Sequence, residues 1–407
     1  MTTTRGFHGF GVRDRAPSVA RVFDESRLPP QLRENMPRLN GLVDQPFTGI
    51  TTDGKPLEGL FPLQPTGIPT TPIVDAANAF LSSLNHEQRQ LATRPVDARD
   101  WRTWHNAEMF IFRHGVLLES LSGSQLEAAY GVLRASFSAL GFQTARDIMK
   151  LNDFLREITG FDESLGELLY FLTIFGTPSA DEPWGWQIDG HHLNISFLVV
   201  GDQVTMTPAF MGGEPIYCDT GQYDGISIFD AELRNGLDLI RALTADQRKK
   251  AIIFSSMQSK DLPPERAHPS EGRQKSTAFQ DNAIIPYEGI PVREFSSGQK
   301  DLLMSVVDAY VGYLRPGHNR LRLREIEQRL DESYFAWIGG YGDNDTYYYK
   351  VHSPVILIEF DMHRGIFLDN DEPEKFHVHT MVRTPNGNDY GKDLLRQHLA
   401  LHHNARA

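Results

Sequence analysis

Residues that could bind a metal ion are concentrated near the C-terminus, in a segment that favours two β-strands. Residues 354–360 form a short apolar, β-branched run, and residues 376–382 alternate polar and apolar types as a half-buried strand does. Side chains two positions apart on a strand share one face. His377 and His379 therefore share a face, and two imidazoles at this spacing can reach one ion.

Acidic residues of the first strand would meet these histidines if the two strands pair as a hairpin. Glu359, Asp361 and His363 share a face if the strand extends that far. Paired strands lie about 5 Å apart, so carboxylates and imidazoles would converge. Glu359 stands in the apolar run PVILIEF, where a carboxylate is costly unless it is paired or metal-bound. The structural alternative is a salt bridge to Arg383 or His352.

A second histidine pair, His191 and His192, occurs in the segment GHHLN. Alternation over residues 184–200 predicts one strand that turns at residues 201–202, which places the two histidines mid-strand on opposite sides of the sheet. We expect one of them to bind a metal and the other to hydrogen-bond a carboxylate behind the ligands.

The donor set indicates a divalent transition metal. Neutral imidazoles with one or two carboxylates suit zinc or iron(II), with manganese as a further candidate. A metal-activated water could attack a carbonyl with a carboxylate as general base, whereas a two-histidine, one-carboxylate iron(II) face would activate dioxygen. The predicted ligands are His191, His192, Glu359, His363, His377 and His379.

Arg383 follows the HVH motif and has the same parity as its histidines. A guanidinium at this place could bind a substrate carboxylate, and the alternative is an internal salt bridge. Pro385 leaves the direction of the side chain open, because the strand could end before it. The predicted catalytic residues are Glu359, Asp361 and Arg383.

Charge and cysteine content limit the expected partners and the expected cellular compartment. The net charge of -13 argues against nucleic acid or an anionic membrane as partner. Cys218 is the single cysteine, so no intrachain disulfide forms, which favours a reducing compartment. The N-terminus lacks an apolar signal core, and no run approaches the roughly 18 apolar residues of a membrane span. We expect a cytoplasmic protein with a small-molecule substrate, and a homo-oligomer stays open.

Composition divides the chain into two regions. Residues 1–73 are rich in Pro and Gly and are predicted to wrap in an ordered form over a single α+β domain, residues 74–407. Strands pair locally without a strand-helix-strand rhythm, which predicts an antiparallel or mixed sheet that carries a histidine-rich face and packs against a helical layer. The polar connection 256–294 is predicted to be a lid or a loop under the site. Helices are expected near residues 71–84, 85–93, 124–140, 142–159, 163–174 and 389–403.

One local pattern recurs four times: an apolar residue, a polar residue, and a Gln three residues after it. It appears in LNHEQRQLA, LSGSQLEAAYGVL, LTADQRKKAII and FSSGQKDLLMSVV. Each is typical of a capping box at a helix start. The spacing is irregular, so the pattern does not indicate a solenoid repeat.

Several blocks together resemble the domain-of-unknown-function family 3500. They include FLTIFGTPSADEPWGWQIDGHHLNISF, TPAFMGGEP, YFAWIGGYGDNDTYYYKVHSPVILIEFD and HVHTMVRTPNGNDYGKDLLRQH. The resemblance covers roughly residues 75–403, and its GHH and HxH blocks match His191, His192, His377 and His379. It implies that this region forms one domain, and it implies no activity.

Common catalytic templates are absent: the sequence has no GxGxxG after a strand, GxxxxGK[ST], GxSxG, HExxH or CxxC. The leading hypothesis is a metal-dependent enzyme acting on a small molecule, a hydrolase or lyase that uses a metal-activated water. The first alternative is a non-haem iron oxygenase or oxidoreductase. The second is a non-catalytic binding protein whose histidines are hydrogen-bonded core residues.

Overall fold

A computed structural model describes residues 5–14, 26 and 28–402, so parts of the predicted N-terminal wrap (residues 1–4, 15–25 and 27) and the end of the predicted last helix, His403, lie outside the described residues. In the described part, none of the helices combines the length and the apolar character needed to cross a membrane. The helices are α1 (Pro30–Asp44), α2 (Thr71–Ser83), α3 (His86–Ala92), α4 (Gly123–Ser136), α5 (Ala139–Thr159), α6 (Asp230–Ala242), α7 (Ala245–Ala251), α8 (Ser297–Val311), α9 (His318–Glu327) and α10 (Lys392–His402).

One mixed sheet runs through the molecule, which confirms the predicted α+β class. Its strands are β1 (Thr93–Arg94), β2 (Val116–Leu117), β3 (Tyr170–Gly176), β4 (Trp184–Gly190), β5 (Leu193–Val200), β6 (Gln203–Thr205), β7 (Ala209–Gly213), β8 (Ile252–Phe254), β9 (Ile290–Pro291), β10 (Tyr334–Gly339), β11 (Tyr347–His352), β12 (Leu357–Met362) and β13 (Val378–Arg383). The order along the sheet is β1-β3-β4-β5-β7-β13-β12-β11-β10-β8.

The two halves of this sheet repeat one order of elements. The first half runs α2-α3-β1-β2-α4-α5-β3-β4-β5, and the second runs α6-α7-β8-β9-α8-α9-β10-β11-β12. The strand pairings match as well. In the first half β1 pairs in parallel with β3, and in the second half β8 pairs in parallel with β10. Likewise, β2 pairs antiparallel with β3, and β9 pairs antiparallel with β10. The halves meet at the antiparallel pair β7–β13. Residues near this pair can therefore combine side chains from both halves.

The four predicted capping boxes are confirmed, and they occupy equivalent places in the two halves. Reciprocal side-chain and backbone bonds form at the starts of α3, α4, α7 and α8. The capping glutamines also bond one another across each half, Gln88 with Gln125 and Gln247 with Gln299. Each pair holds two helix starts together.

The central strands have one polar face and one aromatic face, and both are buried. Directly opposite pairs on the polar face are Tyr348 with Asp361, and Asp361 with His379. The other face carries Tyr349 and Phe360, stacked with ring centroids 4.9 Å apart, and the Tyr349 hydroxyl donates to a backbone carbonyl of α6. The polar face is therefore the one that holds the candidate site.

One helix expected from the sequence is a strand in the structure. The helix expected near residues 163–174 is wrong, because residues 170–176 form strand β3, whose run YFLTIFG is apolar, aromatic and β-branched.

The Pro-rich N-terminal region contains α1, which begins with Pro30 at its first position and tolerates Pro37 inside it. Backbone bonds such as Thr51 N–H to the Ala283 carbonyl attach this region to the body. The boundary at residue 73 stays a prediction.

Candidate metal centre

The β12–β13 hairpin confirms the predicted strand pairing. Asp361 lies directly opposite His379 and Glu359 opposite Met381, and the His363 N–H donates to the His377 carbonyl at 2.7 Å. Opposite residues of an antiparallel pair point to the same side, with Cβ atoms about 5 Å apart. The hairpin thus carries carboxylates and imidazoles on one buried face.

Three buried imidazoles converge where the two halves of the sheet meet. His192, His377 and His379 each offer one ligand atom, and these atoms all lie within 4.8 Å of one another. The Nε2 atoms of His377 and His379 are 3.0 Å apart. Two nitrogens bound to one zinc ion lie about 3 Å apart at a right angle and about 3.3 Å apart at the tetrahedral angle. The spacing therefore fits two ligands of one ion.

The strand position predicted for His191 and His192 is wrong: they form the two-residue turn between β4 and β5. His192 adopts a φ of 64°, which a tight hairpin turn requires. Asn106 Oδ1 accepts from its N–H at 2.8 Å. The two imidazoles stack with centroids 3.8 Å apart, so they lie on the same side of the sheet. Only His192 belongs to the convergent group.

Gly212 makes room for this convergence. A Cβ atom there would lie 3.0 Å from Cδ2 of His192, 3.0 Å from Cδ2 of His379 and 2.9 Å from the Val378 carbonyl oxygen. Its N–H also donates to the His192 carbonyl at 2.9 Å. Glycine at this place lets the turn of the first half approach the HVH strand of the second.

His363 adds a fourth imidazole beside the group. Its ring centroid lies 4.6 Å from that of His379 and 4.9 Å from that of His377. Its Nδ1 lies 2.8 Å from the Arg364 carbonyl oxygen, which assigns the ring proton to Nδ1 and leaves a lone pair on Nε2. This Nε2 is buried and has no hydrogen-bond partner among residues 5–14, 26 and 28–402. A carbonyl behind Nδ1 and a lone pair at Nε2 are typical of a metal-binding histidine.

The histidines are in the neutral form that binds metals. Burial lowers the pKa of His192, His377 and His379 well below its usual value, and neighbouring histidines lower each pKa further. Burial also lowers the pKa of His363 to about 4. At neutral pH none of these ligands has to release a proton before binding a cation.

Two residues that the sequence did not indicate support the imidazoles. Glu214 Oε2 lies 3.8 Å from Nδ1 of His377, and its Oε1 accepts from the N–H groups of residues 366–368 at 2.9 Å. Asn152 Oδ1 lies 2.8 Å from Nδ1 of His191, so an amide occupies the place predicted for a carboxylate. At 3.8 Å the Glu214 carboxylate is too far from His377 for a hydrogen bond, so it acts on this ring through its charge.

The two carboxylates predicted to be catalytic have different surroundings. Glu359 accepts from Tyr348 Oη at 2.6 Å, from the N–H groups of Lys275 and Ser276 at 3.0 and 2.9 Å, and from Ser276 Oγ. It is not part of the convergent histidine group. Asp361 Oδ2 accepts only from the Arg273 N–H, at 3.1 Å, among the described donors. Burial raises the pKa of Asp361 to about 7, against the opposing charge of Arg273.

Arg383 lies in an internal ion-pair network. Its Nη1 donates to Asp281 at 2.8 Å and to Asp389 at 3.3 Å. Its Nε and Nη2 donate to the carbonyls of Ser276 and Thr277 at 2.7 and 2.6 Å. All three guanidinium nitrogens therefore donate to protein acceptors. This geometry corresponds to the internal salt bridge that was the alternative to substrate binding.

The segment predicted to be a lid or an underlying loop lies directly on the polar face. Besides the bonds to Asp361 and Glu359, Gln274 Nε2 lies 3.4 Å from the carbonyl oxygens of both Glu359 and His379. Its isolated bridge His268–Gly272 closes a tight turn above Asp361. Sequence patterns did not indicate Arg273 and Gly272, because the segment has no periodic pattern.

Fold and site together define a mixed α+β protein with a buried multi-histidine cluster at the junction of two similar halves. The family model described as Protein of unknown function (DUF3500) matches residues 66–392 of the 407. The chain belongs to this family, and the site histidines all lie within the matched region. No curated protein and no solved structure matches the chain.

Proposed function

We propose that this protein is a metal-dependent enzyme that acts on a small molecule as a hydrolase or lyase. The observation that carries the proposal is the group of three buried, neutral imidazoles whose ligand atoms lie within 4.8 Å of one another. Three histidines with an open position are a frequent catalytic zinc set, and imidazole also suits iron. Manganese is the less favoured metal, because it prefers oxygen ligands.

Each residue has a distinct role in this proposal. A bound divalent metal would supply Lewis acidity and lower the pKa of a water molecule. His192, His377 and His379 hold the ion, and His363 is the candidate for a fourth ligand. Asp361 is the preferred proton acceptor, because it lies directly opposite His379 on the polar face and its Oδ1 has no hydrogen-bond donor among the described residues.

Glu359 and Arg383 then have supporting roles. Glu359 anchors the covering segment, residues 256–294, through three donor groups of Lys275 and Ser276, and Arg383 ties Asp281 of that segment to Asp389. Both residues keep the cover in place over the histidines. A cytoplasmic location also belongs to the proposal, and the single cysteine supports it.

The test is elemental analysis of untagged protein purified without chelators. We expect about one transition-metal ion per chain in the wild type, and loss of the ion in the double variant His377→Ala, His379→Ala. His352→Ala is the matched control, because His352 is equally buried and neither ring nitrogen has a partner in the described part of the chain. A folded double variant that keeps full metal content would refute the assignment.

The identity of the metal separates the remaining alternatives. Zinc would support hydrolysis or elimination, whereas iron with oxygen-dependent turnover would favour the oxygenase alternative. Protein that is isolated without metal, and that refuses zinc, iron and manganese on reconstitution, would favour the non-catalytic alternative.

A further inference from the structure

A recess of about 110 Å³ leads from the protein surface to His363. Exposed His268 and Pro269 lie at its rim, and the buried ring of His363 lies at its inner end. The other three imidazoles are enclosed by the sheet and its cover. The recess thus gives an approach to the histidine cluster from its His363 side.

Positive charge lines this recess although the chain carries a net charge of -13. Arg273 and Arg364 are both part of the lining. The Arg273 side chain is 3% exposed, and its Nε lies 3.9 Å from Asp361 Oδ1. That Nε has no hydrogen-bond acceptor within the described part of the chain. A buried guanidinium N–H with no acceptor indicates a missing hydrogen-bonding partner of negative or polar character.

Arg364 supplies a second cation at the rim. Its Nε donates to the Pro269 carbonyl at 3.2 Å, which holds the guanidinium against the turn. Nδ1 of His268 accepts from the N–H groups of Ser270 and Glu271 at 3.2 and 3.1 Å, so the ring proton of neutral His268 lies on Nε2 as a further donor. Donor groups of three residues, Arg273, Arg364 and His268, therefore line the recess.

The turn at residues 268–272 holds the recess against the acidic residue of the site. His268 and Gly272 exchange two backbone bonds of 3.1 and 3.0 Å. Gly272 has a φ of 59°, and a Cβ atom there would collide with the Asp361 carboxylate and lie 2.8 Å from Cδ2 of His363. A group that enters the recess accordingly meets His363 and Gly272, and Gly272 packs against Asp361.

We propose that this recess binds the carboxylate of a small substrate, which makes small carboxylic acids or their derivatives the substrate class. The inference rests on the proposed function for the chemistry, but the anion site itself does not need the metal. Guanidinium groups bind carboxylates through paired, charge-assisted hydrogen bonds. A cavity of about 150 Å³ holds benzene, so the present volume suits a molecule of only a few non-hydrogen atoms.

Calorimetric titration of the full chain with formate, acetate and malonate tests the proposal, in metal-loaded and in metal-free protein. We expect one binding site, and its affinity should be lower for malonate than for acetate because the larger anion exceeds the volume of the recess. Arg364→Gln should weaken acetate binding roughly tenfold or more, because a hydrogen bond to a charged group is lost, and Arg364→Lys should restore part of it. Arg273→Gln should also weaken acetate binding if this variant folds. If it does not fold, the two Arg364 variants still test the proposal.

The matched control is Arg241→Gln, because Arg241 also donates from Nε to a carbonyl, that of Tyr341, and lies on another surface. Equal acetate affinity in the Arg364 and Arg241 variants, or no acetate binding by the wild type, would overturn the anion site even if metal analysis succeeds. Arginine-dependent acetate binding in a protein that refuses all metals would instead support the anion site and reject the proposed metal chemistry.

Discussion

Replacing Gly212 by alanine should weaken metal binding while it leaves every predicted ligand in place. The added Cβ would lie 3.0 Å from Cδ2 of both His192 and His379, whereas ordinary contacts begin at 3.4 Å. Each ring must therefore retreat by about 0.4 Å, which exceeds the roughly 0.2 Å tolerance of a metal–ligand distance. We expect the affinity for zinc to fall about 10- to 100-fold, the range found when the surroundings of metal ligands are altered.

Gly213→Ala is the matched control, because the neighbouring residue of β7 points to the other side of the sheet. Its Cβ would lie 3.0 Å from the Pro215 carbonyl oxygen and 3.1 Å from Cγ2 of Ile216, so the crowding is similar but its nearest neighbours are not histidines. Both variants should lose about 1–3 kcal/mol of unfolding free energy through overpacking.

The assay is competition for zinc with a chromophoric chelator, with urea unfolding of the metal-free proteins alongside. The expected pattern is a loss of zinc affinity in Gly212→Ala only, with similar losses of stability in both variants. Equal zinc affinities in the two variants would show that the approach of His192 to His379 does not create the site.

Four further measurements follow from the same geometry. His363→Ala should keep metal stoichiometry but weaken affinity, and unchanged affinity in chelator competition would remove His363 from the ligand set. Chelator treatment should lower the unfolding free energy by about 4 kcal/mol relative to protein held at a free metal concentration 1,000 times Kd, and calorimetry that finds no shift would contradict a bound metal in the folded state. Arg383→Met should cost about 3–5 kcal/mol in urea unfolding with metal content unchanged, because it leaves Asp281 and Asp389 without this cation; loss of metal instead would place Arg383 in the site. Burial raises the pKa of Glu232 from 4.5 to about 7, so this group lowers the unfolding free energy increasingly as pH rises between those values. Glu232→Gln should therefore leave the unfolding free energy unchanged near pH 4 and raise it by about 3 kcal/mol near pH 8. A difference between variant and wild type that does not change with pH would contradict this.

Local patterns were sufficient for features that depend on neighbouring residues. The capping boxes form from a polar cap and a Gln three residues later, so their chemistry is complete within one helical turn. The β12–β13 hairpin was likewise visible, because alternation and turn residues specify pairing over a short stretch of chain. Family membership was also evident from the histidine blocks and is confirmed by the match over residues 66–392.

Short-range sequence patterns were misleading where the same pattern is compatible with two different structures. The alternation across residues 184–200 continues through the turn, so it did not reveal that His191 and His192 form that turn. Residues 163–174 have apolar positions that suit a buried strand as well as a helix, and pairing of β3 with β4 decides between them. Tertiary contacts supplied information that spacing alone lacked.

The sequence by itself determined which residue types are available: a histidine pair on a strand, a second pair before β5, and carboxylates on the facing strand. Only the tertiary structure decided which of them meet. It joins His192 to His377 and His379 across Gly212, directs Arg383 to Asp281, and surrounds Glu359 with donors from the covering segment. The physical reason is that these contacts connect residues more than 80 positions apart, and the contact of His192 with His377 and His379 also depends on how two similar halves of the chain meet along β7 and β13.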